Sequence, residues 1–215
     1  MAADKNSFSS IGIKVQGLGK RFNREWIFRN FNYTFEPSNV YAVTGPNGSG
    51  KSTLLQVLWG QLPQTAGELL YPHKSGDIPI DEIFQHLAIA TPYLDLIEEF
   101  TLIEHLRFHF RLKTSRNGLP VEEMLDKLML NGAKDKHIAN FSSGMKQRVK
   151  LGLAFFTEAD LVFLDEPTTN LDAETKAWYH RELNSLPPTC TIFIASNQRE
   201  EYPSTAKTIN ILDFK

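Results

Sequence analysis

Gly45-Pro46-Asn47-Gly48-Ser49-Gly50-Lys51-Ser52 places three glycines, a lysine and hydroxyls within eight positions, and Thr53 follows. Glycine tolerates backbone angles closed to other residues, so such a run can curl until successive N–H groups point inward and form a nest for an anion. A helix beginning near Lys51 adds the partial positive charge of its N-terminus. The string meets the P-loop pattern at every fixed position, and its residue types assign the chemistry. Backbone N–H groups surround phosphate, Lys51 sets a point charge on the β- and γ-phosphates, the Ser52 hydroxyl ligates Mg²⁺, and Thr53 supports the α-phosphate side.

A second group lies far along the chain. Leu161-Val162-Phe163-Leu164 is an apolar run that ends in Asp165-Glu166. In open α/β sheets ligands sit beyond the carboxyl ends of the strands. Asp165 is therefore placed to hold Mg²⁺, directly or through water, and Glu166 to polarise a water against the γ-phosphate. Two acids that merely end a strand in solvent are the plainer alternative, and the phosphate loop upstream argues against it.

The elements that must position these residues are legible in outline. Val40–Thr44 reads as the strand feeding the loop, and Leu54, Leu55, Val57 and Leu58 give the following helix, to about Gln61, its apolar side. Ile11–Leu18, Trp26–Phe28, Phe31–Phe35, Leu87–Ala90, Leu161–Leu164, Thr191–Ala195 and Thr208–Leu212 read as further strands. Helical spacing marks Thr101–Leu112, Pro120–Leu130, Ser143–Phe156 and Glu174–Leu186, and Tyr71–Pro79 reads as a loop. With 41% hydrophobic residues the chain can bury a sizeable core, and a formal net charge of -2 carries no basic bias, so no nucleic-acid partner is expected. Cys190, the one cysteine, reads as a small core residue. Met1–Ser10 lacks the apolar stretch of a leader, and no run of about 20 apolar residues spans a membrane.

Together these features resemble the ABC ATPase family over nearly the whole chain. Phe141-Ser142-Ser143-Gly144-Met145 is similar to its signature, usually Leu-Ser-Gly-Gly-Gln, and Pro167–Asp172 to the turn and D-loop after the second carboxylate strand. The resemblance implies a P-loop NTPase (RecA-like) α/β core with a mixed sheet, an antiparallel β subdomain and an inserted α-helical subdomain, within one domain over 1–215. The core takes about 1–90 and 157–215, the helical subdomain about 91–156. It implies ATP and Mg²⁺ as cofactors, Phe22 stacked on adenine, and a head-to-tail dimer with a second ABC ATPase protomer. In that dimer Ser142, Ser143, Gly144 and Met145 meet the γ-phosphate in trans, and Asp172 lies between the two sites. It further implies a separate transmembrane permease and a place at the cytoplasmic face of the membrane through that partner. Taken as residues alone, Ser142 and Asp172 also read as helix N-caps, and Phe22 as core.

Three departures from the family pattern stand out. Ser143 replaces the first signature glycine and adds a hydroxyl. Asn197 stands where the family has a histidine at the γ-phosphate; an amide donates a hydrogen bond but carries no charge, which implies slow turnover. The family glutamine linking the Mg²⁺ site to the helical subdomain is missing: its place falls near Pro92, and Gln85 comes too early. A transporter ATPase is the reading that fits best, with Tyr93–Phe100 as its dock for the permease. A nucleotide-gated regulator with little hydrolysis, or a non-transport ABC ATPase, are the alternatives.

Overall fold

The computed structural model describes residues 10–215. The leader-free reading of Met1–Ser10 lies outside those residues except at Ser10. In chain order the elements are β1 (Ile13–Phe22), β2 (Glu25–Phe35), β3 (Val40–Thr44), α1 (Lys51–Leu58), β4 (Ala66–Leu70), β5 (Leu87–Ala90), α2 (Leu102–Leu112), α3 (Val121–Lys127), α4 (Ser143–Phe156), β6 (Leu161–Asp165), α5 (Ala173–Ser185), β7 (Thr191–Ala195) and β8 (Lys207–Asn210).

The strands divide between two sheets. Five form a sheet in the order β5-β6-β7-β3-β8, and every neighbouring pair in it is parallel. Three form an antiparallel sheet in the order β2-β1-β4. The expected mixed core sheet thus resolves into a wholly parallel sheet beside a wholly antiparallel one. Burial on both faces explains why β6 and β7 are apolar throughout: every residue of either strand is buried. Alternate residues go to opposite faces. Leu161, Phe163, Phe193, Tyr41 and Val43 pack toward α1 and the antiparallel sheet. Val162, Leu164, Ile192, Ile194 and Ala42 pack toward α4, α5 and the segments around α2 and α3. On the first face Phe163 and Phe193 stack with ring centroids 4.5 Å apart, and Trp59 meets Phe163 edge-on at 5.4 Å.

Several elements depart from their sequence expectation for local reasons. Trp26–Phe28 and Phe31–Phe35 belong to one strand, β2, in which Asn30 takes φ 53°. Gly17, at φ 59°, forms the matching irregularity on β1, where the register shifts between Val15 and Leu18. Asn32 mends both breaks: its Oδ1 accepts the Gly17 N–H at 2.7 Å and its Nδ2 donates to the Asn30 carbonyl at 2.9 Å. Strand β4 is mostly exposed and shows no alternation, so it left no periodic signal. At Gly67, φ 81°, the chain runs so close to β1 that a Cβ would come 2.3 Å from the Gly17 carbonyl oxygen. The last strand ends at Asn210, and Ile211–Phe214 continue as a 3-10 turn. Helix α1 stops at Leu58 because Gly60, at φ 83°, closes it with a bond to Val57 O while Gln61 N–H reaches Gln56 O. Cys190 is buried, its thiol donating to the Ala159 carbonyl at 3.1 Å.

Candidate active site

In a parallel sheet the carboxyl ends of the strands share one edge. Here that edge brings together the loop after β3, Thr91 after β5, Asp165–Glu166 at the end of β6, and Ser196–Asn197 after β7. Two backbone bonds lock the edge: Glu166 N–H donates to Ala195 O at 2.9 Å, and Ser196 N–H to Val43 O at 3.0 Å.

The loop curls as its glycines predict. Gly45 and Gly50 take φ 145° and 102°. A Cβ at Gly45 would lie 2.7 Å from Ser49 Oγ, and one at Gly50 would lie 2.5 Å from Ile27 Cγ2 on β2. Glycine is thus required at both positions for its angles and for its size. Ser49 N–H closes the turn onto Pro46 O at 3.1 Å. Helix α1 then begins at Lys51 with no side chain capping its first turn. Lys51 is only 4% exposed. Its ammonium curls over the loop and donates to Gly45 O at 3.0 Å and Pro46 O at 3.3 Å. Asn197 reaches the same loop, its Nδ2 donating to Asn47 Oδ1 at 3.0 Å.

Beneath the loop lies Asp165, 1% exposed, with Oδ1 buried and without a hydrogen-bond partner. Burial pushes its carboxyl up to about 6, and the charge of Glu166 adds to that; hydrogen bonds from Ser52 and Thr91 and the charge of Lys51 oppose it. An orphaned carboxylate oxygen beside a serine hydroxyl is the oxygen-rich setting that suits a hard divalent cation, so these residues fit Mg²⁺. Glu166 follows with φ 45°, a left-handed conformation that side chains other than glycine rarely take.

The signature-like residues form a second group. Ser142 is the N-cap of α4, its Oγ accepting the Met145 N–H at 3.2 Å. Asp172 is the N-cap of α5, accepting the Thr175 N–H at 2.8 Å, and that bond lowers its carboxyl. Gly144 abuts Asn170: a Cβ there would lie 2.9 Å from the Asn170 carbonyl oxygen. Among the described residues no hydrogen bond joins Ser142, Ser143, Gly144, Met145 or Asp172 to the phosphate loop. Phe22 is not core. It ends β1 at the hairpin, 45% exposed, with Lys20 Nζ 5.0 Å from its ring centroid.

Three contributors were not singled out from sequence. Thr91, buried at the end of β5, reaches Asp165, and its position directly after an apolar strand is the signal that would have found it. Pro92, near which the family pattern places a glutamine, accepts a bond from Lys150 Nζ at 2.8 Å through its carbonyl, and Gln85 sits before β5 in a 3-10 turn. Gln147 of α4 is buried and donates to the Pro167 carbonyl at 2.9 Å. Glu201 is buried against Thr168, and no apolar periodicity around it in the sequence marks that burial.

Comparison with known proteins bears on the family and the fold. Residues 28–169 match the family model described as ABC transporter. The ABC transporter ATP-binding protein YybJ of Bacillus subtilis is 27% identical over 194 residues, covering 88% of this chain and 87% of that one. The sulfate/thiosulfate import ATP-binding protein CysA of Synechococcus elongatus is 29% identical over 201 residues, 89% of this chain and 57% of that one. The solved ABC transporter ATP-binding protein of Pyrococcus furiosus superposes with a TM-score of 0.78 at 20% identity, covering 94% of this chain and 98% of that one, which speaks for the fold. The match spans more than half of the chain and includes both the phosphate loop and the paired acids: this chain belongs to the ABC transporter family, as an ATP-binding protein of it.

Proposed function

We propose that the chain is a Mg²⁺-dependent ATPase of slow turnover, built to drive a separate membrane subunit. The observation that carries this reading is the buried, unpartnered Oδ1 of Asp165, set beside Ser52 at the foot of the phosphate loop with Glu166 next in the chain. In this reading Gly45–Thr53 wrap the triphosphate with backbone N–H groups, and Lys51 leaves its two carbonyl partners for the β- and γ-phosphates. Phe22, already free of the core, offers its ring to adenine. Ser52 and Asp165 are the residues that would hold Mg²⁺, whose chemistry is to neutralise charge on the phosphate oxygens. Glu166 orients and deprotonates the attacking water, and Asn197 donates a hydrogen bond at the γ-phosphate side. An amide there carries no charge and moves no proton, which is why turnover is slow.

The trans-acting residues imply a second protomer. Ser142, Ser143, Gly144 and Met145 present a helix N-terminus, Gly144 abuts Asn170, and Asp172 follows two residues on, positions that suit a phosphate and a subunit boundary supplied by a partner. No helix among the described residues is long and apolar enough to cross a membrane. A permease would therefore supply the spanning segments and hold the chain at the cytoplasmic face. The residues that favour such docking are exposed and apolar: Phe84, Tyr93, Phe108 and Leu112 rim a cavity of about 420 Å³ between β5 and α2 and the one beside it, extending the expected Tyr93–Phe100 surface onto α2.

Steady-state hydrolysis of Mg²⁺-ATP over a protein concentration series tests the reading. The expected rate rises more than linearly with protein, as a dimerising enzyme requires, and falls at least 100-fold or so in Glu166→Gln while ATP binding persists. ATP binding with equal, negligible turnover in wild type and variant would instead make the chain a nucleotide-gated regulator.

A further inference from the structure

Glu201 is an acid that the proposed reaction does not use, yet it is buried within the same set of contacts. It ends the 3-10 turn Arg199–Glu201 and is 1% exposed. Oε1 accepts the Thr168 N–H at 3.1 Å and also the Thr168 hydroxyl. Oε2 is buried with no partner, and the Glu201 carbonyl accepts the Tyr179 hydroxyl from α5 at 2.7 Å. A carboxylate so enclosed is costly to desolvate, and an apolar side chain would fill the space without that cost. What the acid adds is its grip on Thr168.

Thr168 stands two residues beyond Glu166, whose φ of 45° is sustained only where the surroundings hold it. Three bonds do so. Glu166 N–H is tied to Ala195 O, the Pro167 carbonyl is taken by Gln147 of α4, and Thr168 is taken by Glu201. The last has a second consequence. Asn197, four residues before Glu201, is bonded to Asn47 of the phosphate loop. The short segment 197–201 therefore touches the phosphate loop at one end and the turn bearing Glu166 at the other.

We propose that Glu201 is a positioning residue for ATP hydrolysis: through Thr168 it holds the Glu166 backbone in its left-handed conformation and sets that carboxylate relative to the phosphate loop. This rests on the reading of Glu166 as the hydrolytic base. A base displaced by a fraction of an ångström loses rate without loss of substrate binding, so the effect belongs in kcat.

The test is kcat, KM and nucleotide Kd for Glu201→Ala, Glu201→Gln and Thr168→Val, each also in the Glu166→Gln background, with a thermal midpoint for every variant. Glu201→Ala is expected to lower kcat by about 10- to 100-fold with Kd within about twofold of wild type. Glu201→Gln, whose side-chain carbonyl still accepts the Thr168 N–H, retains more activity. In the Glu166→Gln background neither change lowers the residual rate further, because there is no base left to misplace. Unchanged kcat in both Glu201 variants overturns the proposal, and so does a loss of nucleotide affinity and thermal midpoint that tracks the loss of kcat. Should Glu201→Ala fail to fold, Glu201→Gln decides by the same criteria. A wild-type chain without ATPase activity overturns the role of Glu166 and this inference together; an active wild type with unaffected Glu201 variants overturns this inference alone.

Discussion

At the scale of single residues, the site depends on backbone angles and on which polar atoms are left unpaired. Gly50 combines φ 102° with a Cβ position already occupied by Ile27. Gly50→Ala is therefore expected to destabilise the fold by about 1–3 kcal/mol and to abolish tight ATP binding; urea unfolding and a fluorescent-nucleotide titration measure the two. Asn197 hydrogen-bonds Asn47 and so already touches the loop where a protonatable group would be useful. Asn197→His is expected to raise kcat by about tenfold, roughly 1.4 kcal/mol of barrier, without improving ATP affinity. A steady-state assay with both constants separates that outcome from a change in binding.

At the scale of elements, helix α2 carries a pH dependence of stability. His109 Nε2 lies 2.9 Å from the Thr157 hydroxyl, which itself donates to Leu153 O, so the neutral ring donates to Thr157. Burial first, and then the neighbouring His105 and Lys113, together lower the His109 pKa from the usual 6.5 to about 4. Between those pH values the unfolded chain binds a proton that the folded chain refuses. The contribution is therefore complete above pH 6.5 and is lost as pH falls toward 4, by at most about 3 kcal/mol. Unfolding midpoints measured from pH 7.5 to 4 should show this slope, and His109→Gln should flatten it. Ser142 and Asp172 cap helices α4 and α5, as their residue types alone allow, and the proposed dimer would give the same caps a second role toward a partner.

At the scale of the whole molecule, the parallel sheet is the device that assembles the site. Residues from four strand ends, separated by up to about 150 positions in the chain, meet because β3, β5, β6 and β7 all point the same way. The proposed dimer adds a second chain at the signature-like group, so ATP is expected to join two copies. Glu166→Gln, which should bind ATP without hydrolysing it, is expected to run at twice the 24.4 kDa monomer mass in Mg²⁺-ATP and to revert to monomer when Ser142→Arg is added. Light scattering on a sizing column checks both arms.

The sequence by itself determined the phosphate loop, the paired acids, the order of most elements and the family resemblance. Each of these is written in adjacent residues or in a short period: glycine spacing, an apolar strand ending in two acids, Ser-Ser-Gly before an amphipathic run. Only the tertiary structure decided what distant segments do to one another. It joined Trp26–Phe28 and Phe31–Phe35 into one strand by way of the Asn32 side chain, and it paired β4, exposed and without alternation, to β1. It set Thr91 beside Asp165 and closed Glu201 over Thr168. Those contacts arise because parallel strands bring their ends together whatever the chain length between them. A buried acid such as Glu201 has no local periodicity to reveal its burial, since its partner lies 33 residues away.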